Sequence, residues 1–299
     1  MSLRLEMLQV ARVAPKMLGD SAELVREFLV KQQNPDGGFK NRIGMSDLYY
    51  TIFGFDALFA LQAKFDIGRA STYLSSFESG RFLDFVHLCC LARGWATLEQ
   101  MDSSCRPAAA FADRIIAGVE QHRSADGGYF PVPGNDFGAA YGAFLALGAY
   151  QDLGREMPDP LRVVQSLKFL ETPDGAWANE RHIKAGATNS TAAAVTVLRH
   201  LGAPLHQESI GNWLLARAHP QGGFLAVPQA PIPDLLSTAT ALHALAGLQV
   251  SFEPVKERCL DFVDTLWTNE GSFHGHWEED YLDAEYTFYG LLALGHLAF

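Results

Sequence analysis

An all-α fold, an α/α toroid closed from about six helical hairpins, is what three observations in the 299-residue sequence predict. A short glycine turn recurs along the chain. Amphipathic segments alternate with nearly all-apolar ones at helical spacing. The first and last apolar segments share one residue pattern.

The turns read NPDGGF (34–39), SADGGYF (124–130), TPDGAW (172–177), HPQGGF (219–224) and TNEGSF (268–273). The second copy follows the first at twice the later spacing, so a repeat without the glycine signature belongs between them. STYLSSFESGRFLDFVHLCCLARGWATL fills that gap. An amphipathic stretch such as SAELVREFLVKQQ (21–33) precedes each turn, and a more apolar one follows, at 47–61, 83–98, 136–150, 188–201, 234–248 and 283–297. A helix without a polar face must be covered on most sides, so these apolar segments form an inner layer. The resulting pairs lie at approximately 21–61, 67–98, 106–150, 160–201, 206–248 and 253–297 of a single domain spanning 1–299. An open stack of such pairs needs polar caps at both ends. Here the two ends match instead, Asp47, Tyr50, Thr51, Gly54 and Leu58 against Asp283, Tyr286, Thr287, Gly290 and Leu294, which favours a ring.

A hydrophobic content of 48% with 19% charged residues supports a sizeable core, and a net charge of -11 argues against nucleic-acid binding. Cys89, Cys90, Cys105 and Cys259 form no C-x-x-C pair, which suggests neither a disulfide framework nor a zinc ribbon and fits a reducing, cytoplasmic setting. No apolar run reaches membrane-spanning length, so no membrane span is expected.

The Q-x-x-D-G-G-F turn at Gln33–Phe39, followed by an aromatic and small-residue helix, resembles the prenyltransferase/squalene-oxidase repeat over residues 21–299, and most of all the β subunit of Rab-type geranylgeranyltransferases. That resemblance implies an apolar funnel for an isoprenoid between the inner helices, basic rim residues for its diphosphate, a zinc ion activating a cysteine thiol of a protein substrate, and a helical partner subunit. The departures are specific. Where the family carries P-D-x-C-Y and D-x-x-H-T, this chain has Pro233-Asp234-Leu235-Leu236-Ser237 and Asp283-Ala284-Glu285-Tyr286-Thr287. Leucine cannot ligate, so zinc is disfavoured and neither a metal site nor a cofactor is expected. His274 and His276, followed by Glu278, Glu279 and Asp280, read as an exposed loop rather than substitute ligands. At the family's D-x-R-x-A-Y-C, Gly138 replaces the arginine and only Asp136 and Tyr141 survive, while Arg181, His182 and Lys184 offer positive charge from another loop.

A class II terpenoid cyclase needs an aspartic acid kept protonated in an apolar cavity, normally in D-x-D-D-T, and Asp283-Ala284-Glu285-Tyr286-Thr287 approaches that segment. The candidate catalytic residues are therefore Asp234, Asp283 and Glu285. Helix capping competes as the role of Asp47, Asp136, Asp234 and Asp283, since each opens an inner helix. Tyr49, Tyr50, Phe53, Tyr141, Tyr286, Phe288 and Tyr289, with Asp136, are the candidate ligand-binding residues; core packing is the alternative for the aromatics. Three functional readings follow. The leading one is a prenyltransferase-like protein binding an isoprenoid or similar apolar molecule; the others are a proton-initiated cyclase and a non-catalytic lipid-binding or interaction scaffold.

Overall fold

Short acidic caps and left-handed glycines divide the chain into fourteen α-helices, described for residues 1–299 by a computed structural model. An N-terminal helix, α1 (Leu3–Ala11), and a short α2 (Pro15–Leu18) precede six pairs. The outer members are α3 (Ser21–Gln32), α5 (Ile67–Ser76), α7 (Ala109–Glu120), α9 (Pro160–Lys168), α11 (Gln207–Leu215) and α13 (Glu253–Leu266). The inner members are α4 (Leu48–Ala60), α6 (Phe85–Met101), α8 (Ala140–Asp152), α10 (Thr188–His200), α12 (Leu235–Gly247) and α14 (Ala284–Leu297). Each inner helix packs on the next, and α14 packs on α4, so the ring is closed. Two-residue strand pairs, Phe39–Lys40 with Ser46–Asp47 and Trp267–Thr268 with Ser272–Phe273, are the only ladders.

The threonine of the shared terminal pattern stitches turn to inner helix. Thr51 Oγ1 accepts the Phe39 N–H at 2.8 Å and donates to the Asp47 carbonyl at 2.6 Å. Thr238 repeats this with Phe224 and Asp234, and Thr287 donates to the Asp283 carbonyl while bonding the Ser272 hydroxyl. Each turn thereby fixes a buried aromatic, Phe39, Phe224 or Phe273, beneath its own inner helix.

The turn glycines set the spacing between repeats. Gly37, Gly127, Gly222 and Gly271 have φ of 97°, 93°, 97° and 89°, and a Cβ on each would strike the next outer helix, at Arg69, Arg162, Arg258 and Leu24 respectively. Because Leu24 lies on α3, the last turn locks onto the first repeat and the outer layer closes too. Gly175 shares the left-handed backbone, φ 84°, but faces open space.

Residues 1–20 carry a structural element that the repeat pattern does not signal. Helix α1, capped by the Ser2 hydroxyl, lies across the end of the ring where the inner helices finish. Arg4 reaches Gln100 and Asp152, Glu6 reaches His200, Gly295 sits against the Val10 backbone, and Arg12 covers Phe59 at 5.2 Å. This helix closes the floor of the barrel.

Gly271→Ala combines a strained φ with a backbone collision and should cost about 3 kcal/mol or more, whereas Gly175→Ala should cost only the left-handed strain of about 1–2 kcal/mol. Urea denaturation of the two variants checks this; equal losses would remove the role given to the seam.

Candidate functional site

The ring encloses a central cavity of about 480 Å³, and most of the residues lining it are apolar. Its two sides differ in residue size. Helices α4 and α14 contribute Tyr49, Phe53, Phe288 and Tyr289, which pack edge to face or tilted with centroids 5.1–6.1 Å apart. Helices α8 and α10 contribute Gly148, Ala149, Ser190, Ala192 and Ala193, and these small side chains leave the volume open. Tyr141 and Phe144 complete the aromatic lining. Leu3 and Met7 of α1 form part of the floor.

Of the expected ligand-binding residues, Tyr49, Phe53, Tyr141, Phe288 and Tyr289 line this cavity. Tyr50 and Tyr286 do not. They stand outside it beside Arg42, whose guanidinium covers the Tyr286 ring at 5.6 Å and whose positive charge acts on the Tyr50 hydroxyl. Asp136 is exposed on a loop, because α8 starts at Ala140 rather than at 136. The loop carboxylate that matters there is Asp126, which holds the Gly138 N–H at 3.1 Å, and the first N–H groups of α8 bond to Asn179 of the following repeat.

The three acids differ in what their oxygens already hold. Asp47, Asp234 and Asp283 all cap, accepting the backbone N–H of Tyr49, Ser237 and Tyr286. Asp234 also accepts the Ser237 hydroxyl at 2.7 Å, and Asp283 pairs with Arg42 Nε at 3.2 Å. Burial raises both carboxyls, and these partners oppose it. Glu285 caps nothing. Burial pushes it up to about 7, and one hydrogen bond, from the Tyr49 hydroxyl at 2.6 Å, opposes the rise. Because Tyr49 is on the cavity wall, Glu285 stands one hydrogen bond behind it.

The residues do not fit the zinc site that the sequence resemblance implies. Leu236 is an apolar part of the cavity lining, Tyr286 is covered by Arg42, and both Asp234 oxygens are engaged. No three His, Cys, Asp or Glu side chains gather in a metal-binding arrangement. His276 Nδ1 accepts the Glu278 N–H in its own loop. Arg181 is stacked on Phe137 at 4.1 Å, and Lys184 donates to the Arg181 carbonyl.

Sequence reasoning missed the buried charges around the floor. Asp56, fully buried, accepts from Arg93 Nε and from the Thr97 hydroxyl, each at 2.6 Å. Arg4 donates to Thr97 at 3.2 Å and pairs with Asp152 at 3.0 Å. The pair of Arg4 and Asp152 separates the cavity from an open, more polar recess of about 700 Å³ near Arg106 and Arg155. On the other side of α1, Glu6 bonds His200 and Arg199 and lies 3.8 Å from His243, which contacts His296 at 3.1 Å. Burial holds His243 and His296 neutral, down to about 4 and about 3. A charged residue inside an otherwise apolar segment, Asp56 in TIFGFDALFAL or Arg93 in LCCLARGWATL, was the available signal.

Comparison with known proteins places these features in a family. The model of the prenyltransferase alpha-alpha toroid domain matches residues 5–87 and 191–297. A drimenyl diphosphate synthase from Streptantibioticus cattleyicolor is 26% identical over 183 residues, 57% of this chain. The match spans only about a third, 34%, of that relative's length. A type II terpene cyclase from Scytonema, solved with geranylgeranyl dihydroxybenzoate, superposes with a TM-score of 0.61 at 16% identity, covering 95% of this chain and 97% of that one. Protein geranylgeranyltransferase-I from Candida albicans gives 0.52 at 14% identity, over 98% and 82%. A polysaccharide lyase gives 0.64 at 13% identity, over 97% of each chain. These structures share the fold. No helix of this chain is long and apolar enough to cross a membrane.

Burial alone would raise Glu6, but the hydrogen bonds from His200 and Arg199 outweigh it and bring it down to about 2. Its contribution is therefore present above the ordinary value of 4.5 and lost as pH falls from there toward 2. Glu6→Gln should lower stability by about 2 kcal/mol at pH 6 and by much less at pH 2.5. Urea denaturation at both pH values checks it; a loss that does not depend on pH would refute the role of the charge.

Proposed function

Since the chain belongs to the prenyltransferase alpha-alpha toroid family, we propose that it takes an acyclic isoprenoid into its central cavity and acts on it by proton-initiated cyclisation, with Glu285 as the acid. The observation that carries this reading is a carboxyl held near neutrality one hydrogen bond from an apolar, aromatic-lined cavity. At about 30 Å³ per water-sized group, the volume suits a ligand on the order of fifteen carbons. Prenyl transfer through zinc is disfavoured because Leu236 and Tyr286 replace its cysteine and histidine ligands.

Once Glu285 is protonated its hydrogen bond with Tyr49 reverses: Glu285 passes its proton to the Tyr49 oxygen, while the Tyr49 hydroxyl, rotated from Glu285 toward the cavity, gives its own to a terminal alkene carbon. The alkene π pair becomes the new C–H bond and leaves a tertiary cation. Neighbouring double bonds close on that cation in turn, and the last cation loses a proton that is taken up, through Tyr49, by the Glu285 carboxylate, which restores the acid. Tyr49, Phe53, Phe288 and Tyr289 present ring faces and edges to the charge as it moves. The walls keep water from ending the sequence early. Non-catalytic binding in the same cavity is the second reading, favoured by the position of Glu285 behind Tyr49 rather than on the wall.

Incubation with farnesol, followed by gas chromatography and mass spectrometry, should give cyclic products of unchanged mass. Turnover should fall as pH rises through about 7, where Glu285 loses its proton. Glu285→Gln should lose at least a hundredfold in rate while binding farnesol as before. Cyclisation undiminished in Glu285→Gln would exclude this acid, and bound but unchanged farnesol at every pH would leave the binding reading. Because Glu285 takes up its proton more readily folded than unfolded, stability should also decline between pH 4.5 and about 7, and Glu285→Gln should remove that decline. Treatment with a chelator should leave activity intact; a loss restored by zinc would contradict the ligand assignment.

A further inference from the structure

Arg93 is a cation of the cavity wall that the proposed proton transfer does not use; the other, Arg4, is paired with Asp152. It lies midway along α6, with its guanidinium 5.1 Å from the Phe53 ring centre and 5.6 Å from that of Phe288. One edge is occupied: Nε donates to Asp56 Oδ2, and Nη2 lies 2.6 Å from the same oxygen without the alignment of a hydrogen bond. The Nη1 group makes no hydrogen bond to the protein, and Arg93 borders the cavity. A guanidinium offers five N–H donors, so several are left for whatever fills the space beside them. Nη2 is buried without an aligned partner and the side chain keeps 14% of its surface open, so a ligand oxygen on this edge gains more than it would in water.

Depth and charge narrow the ligand. Arg93 stands nine residues beyond the Asp84 cap, and Glu285 two residues beyond Asp283. At about 1.5 Å per residue the two differ in depth by roughly 10 Å along the barrel. The charges around Arg93 balance: Arg93 and Arg4 face Asp56 and Asp152, and the other ionisable groups lining the cavity, the phenols of Tyr49, Tyr141 and Tyr289, the thiols of Cys89 and Cys90 and the imidazole of His243, are all kept uncharged by burial. A cluster of two cations and two carboxylates has donors to spare but no surplus positive charge. It suits a neutral oxygen, as in an alcohol, ketone or ether, better than an anion.

We infer that Arg93 is the specificity determinant for a neutral oxygen on the isoprenoid, bound deep in the cavity with the hydrocarbon end directed toward Glu285. The inference rests on the cavity's being an isoprenoid site and names the ligand class for it: an oxygenated terpenoid, entering oxygen end first.

Calorimetric binding of farnesol, farnesoic acid and β-farnesene, three probes with one skeleton, tests it. Farnesol should bind at least tenfold more tightly than β-farnesene, and farnesoic acid at pH 8 no more tightly than farnesol. Arg93→Lys keeps a cation opposite Asp56 while removing the second donor edge. It should bring farnesol to within threefold of β-farnesene and leave β-farnesene binding unchanged. Should that variant melt early, the paired Asp56→Asn, Arg93→Gln variant, which leaves no lone buried charge, serves the same comparison. Equal binding of farnesol and β-farnesene to the wild type would overturn the inference while leaving the cavity an isoprenoid site. So would tighter binding of the acid, or an Arg93→Lys effect equal on all three. If none of the three binds, the isoprenoid reading itself falls.

Discussion

Closure of the inner ring by the packing of α14 on α4 is the contact on which the rest depends. It brings together the two helices that carry the shared D-x-x-Y-T-x-x-G pattern, and with them Tyr49 and Glu285, which are 236 residues apart in sequence. An open array of the same repeats would leave both aromatic faces in water. Closure also makes the interior finite, so that side-chain size around the ring decides whether it is filled. The cavity exists because aromatic helices α4 and α14 face α8 and α10, whose Gly148, Ser190, Ala192 and Ala193 do not reach the axis.

The floor obeys a different constraint. Inner helices end in a polar layer that an apolar cavity cannot accommodate, and α1 supplies its partners: Arg4 for Asp152 and Thr97, Glu6 for His200 and Arg199. Breaking one partner of such a buried pair strands the other, so the layer holds the helix in one register. Proteins that share this fold bear names of unrelated chemistry, a terpene cyclase and a polysaccharide lyase among them. What this chain does must therefore be read from its own wall residues, where Leu236 makes apolar surface at the position of the zinc ligand of the prenyltransferases it resembles.

Much of the ring was legible because its determinants are local. Glycine turns, the alternation of amphipathic and apolar helices, and the terminal pattern all lie within short windows, and the threonine of that pattern proves to be the stitch between turn and helix. The sequence puts the third inner helix four residues early, with Asp136 as its cap, whereas the helix is capped across the repeat boundary by Asn179, and a long-range hydrogen bond leaves no local signature. Tyr50 and Tyr286 are the tyrosines of the shared pattern, yet they lie outside the cavity while Tyr49 and Tyr289 line it, since a helix turns about 100° per residue and only one stripe faces the axis. The roles of Arg4, Asp56, Arg93 and Asp152 depend on contacts tens of residues apart, which composition and periodicity do not report.

The central claim is that the interior of this ring is a ligand site rather than leftover space, and native mass spectrometry with farnesol tests it most directly. The wild-type chain should hold one farnesol. Ala193→Trp, which places an indole into the open side of the cavity, should hold none while melting within a few degrees of the wild type. Equal occupancy in both proteins would place the ligand elsewhere and contradict the account.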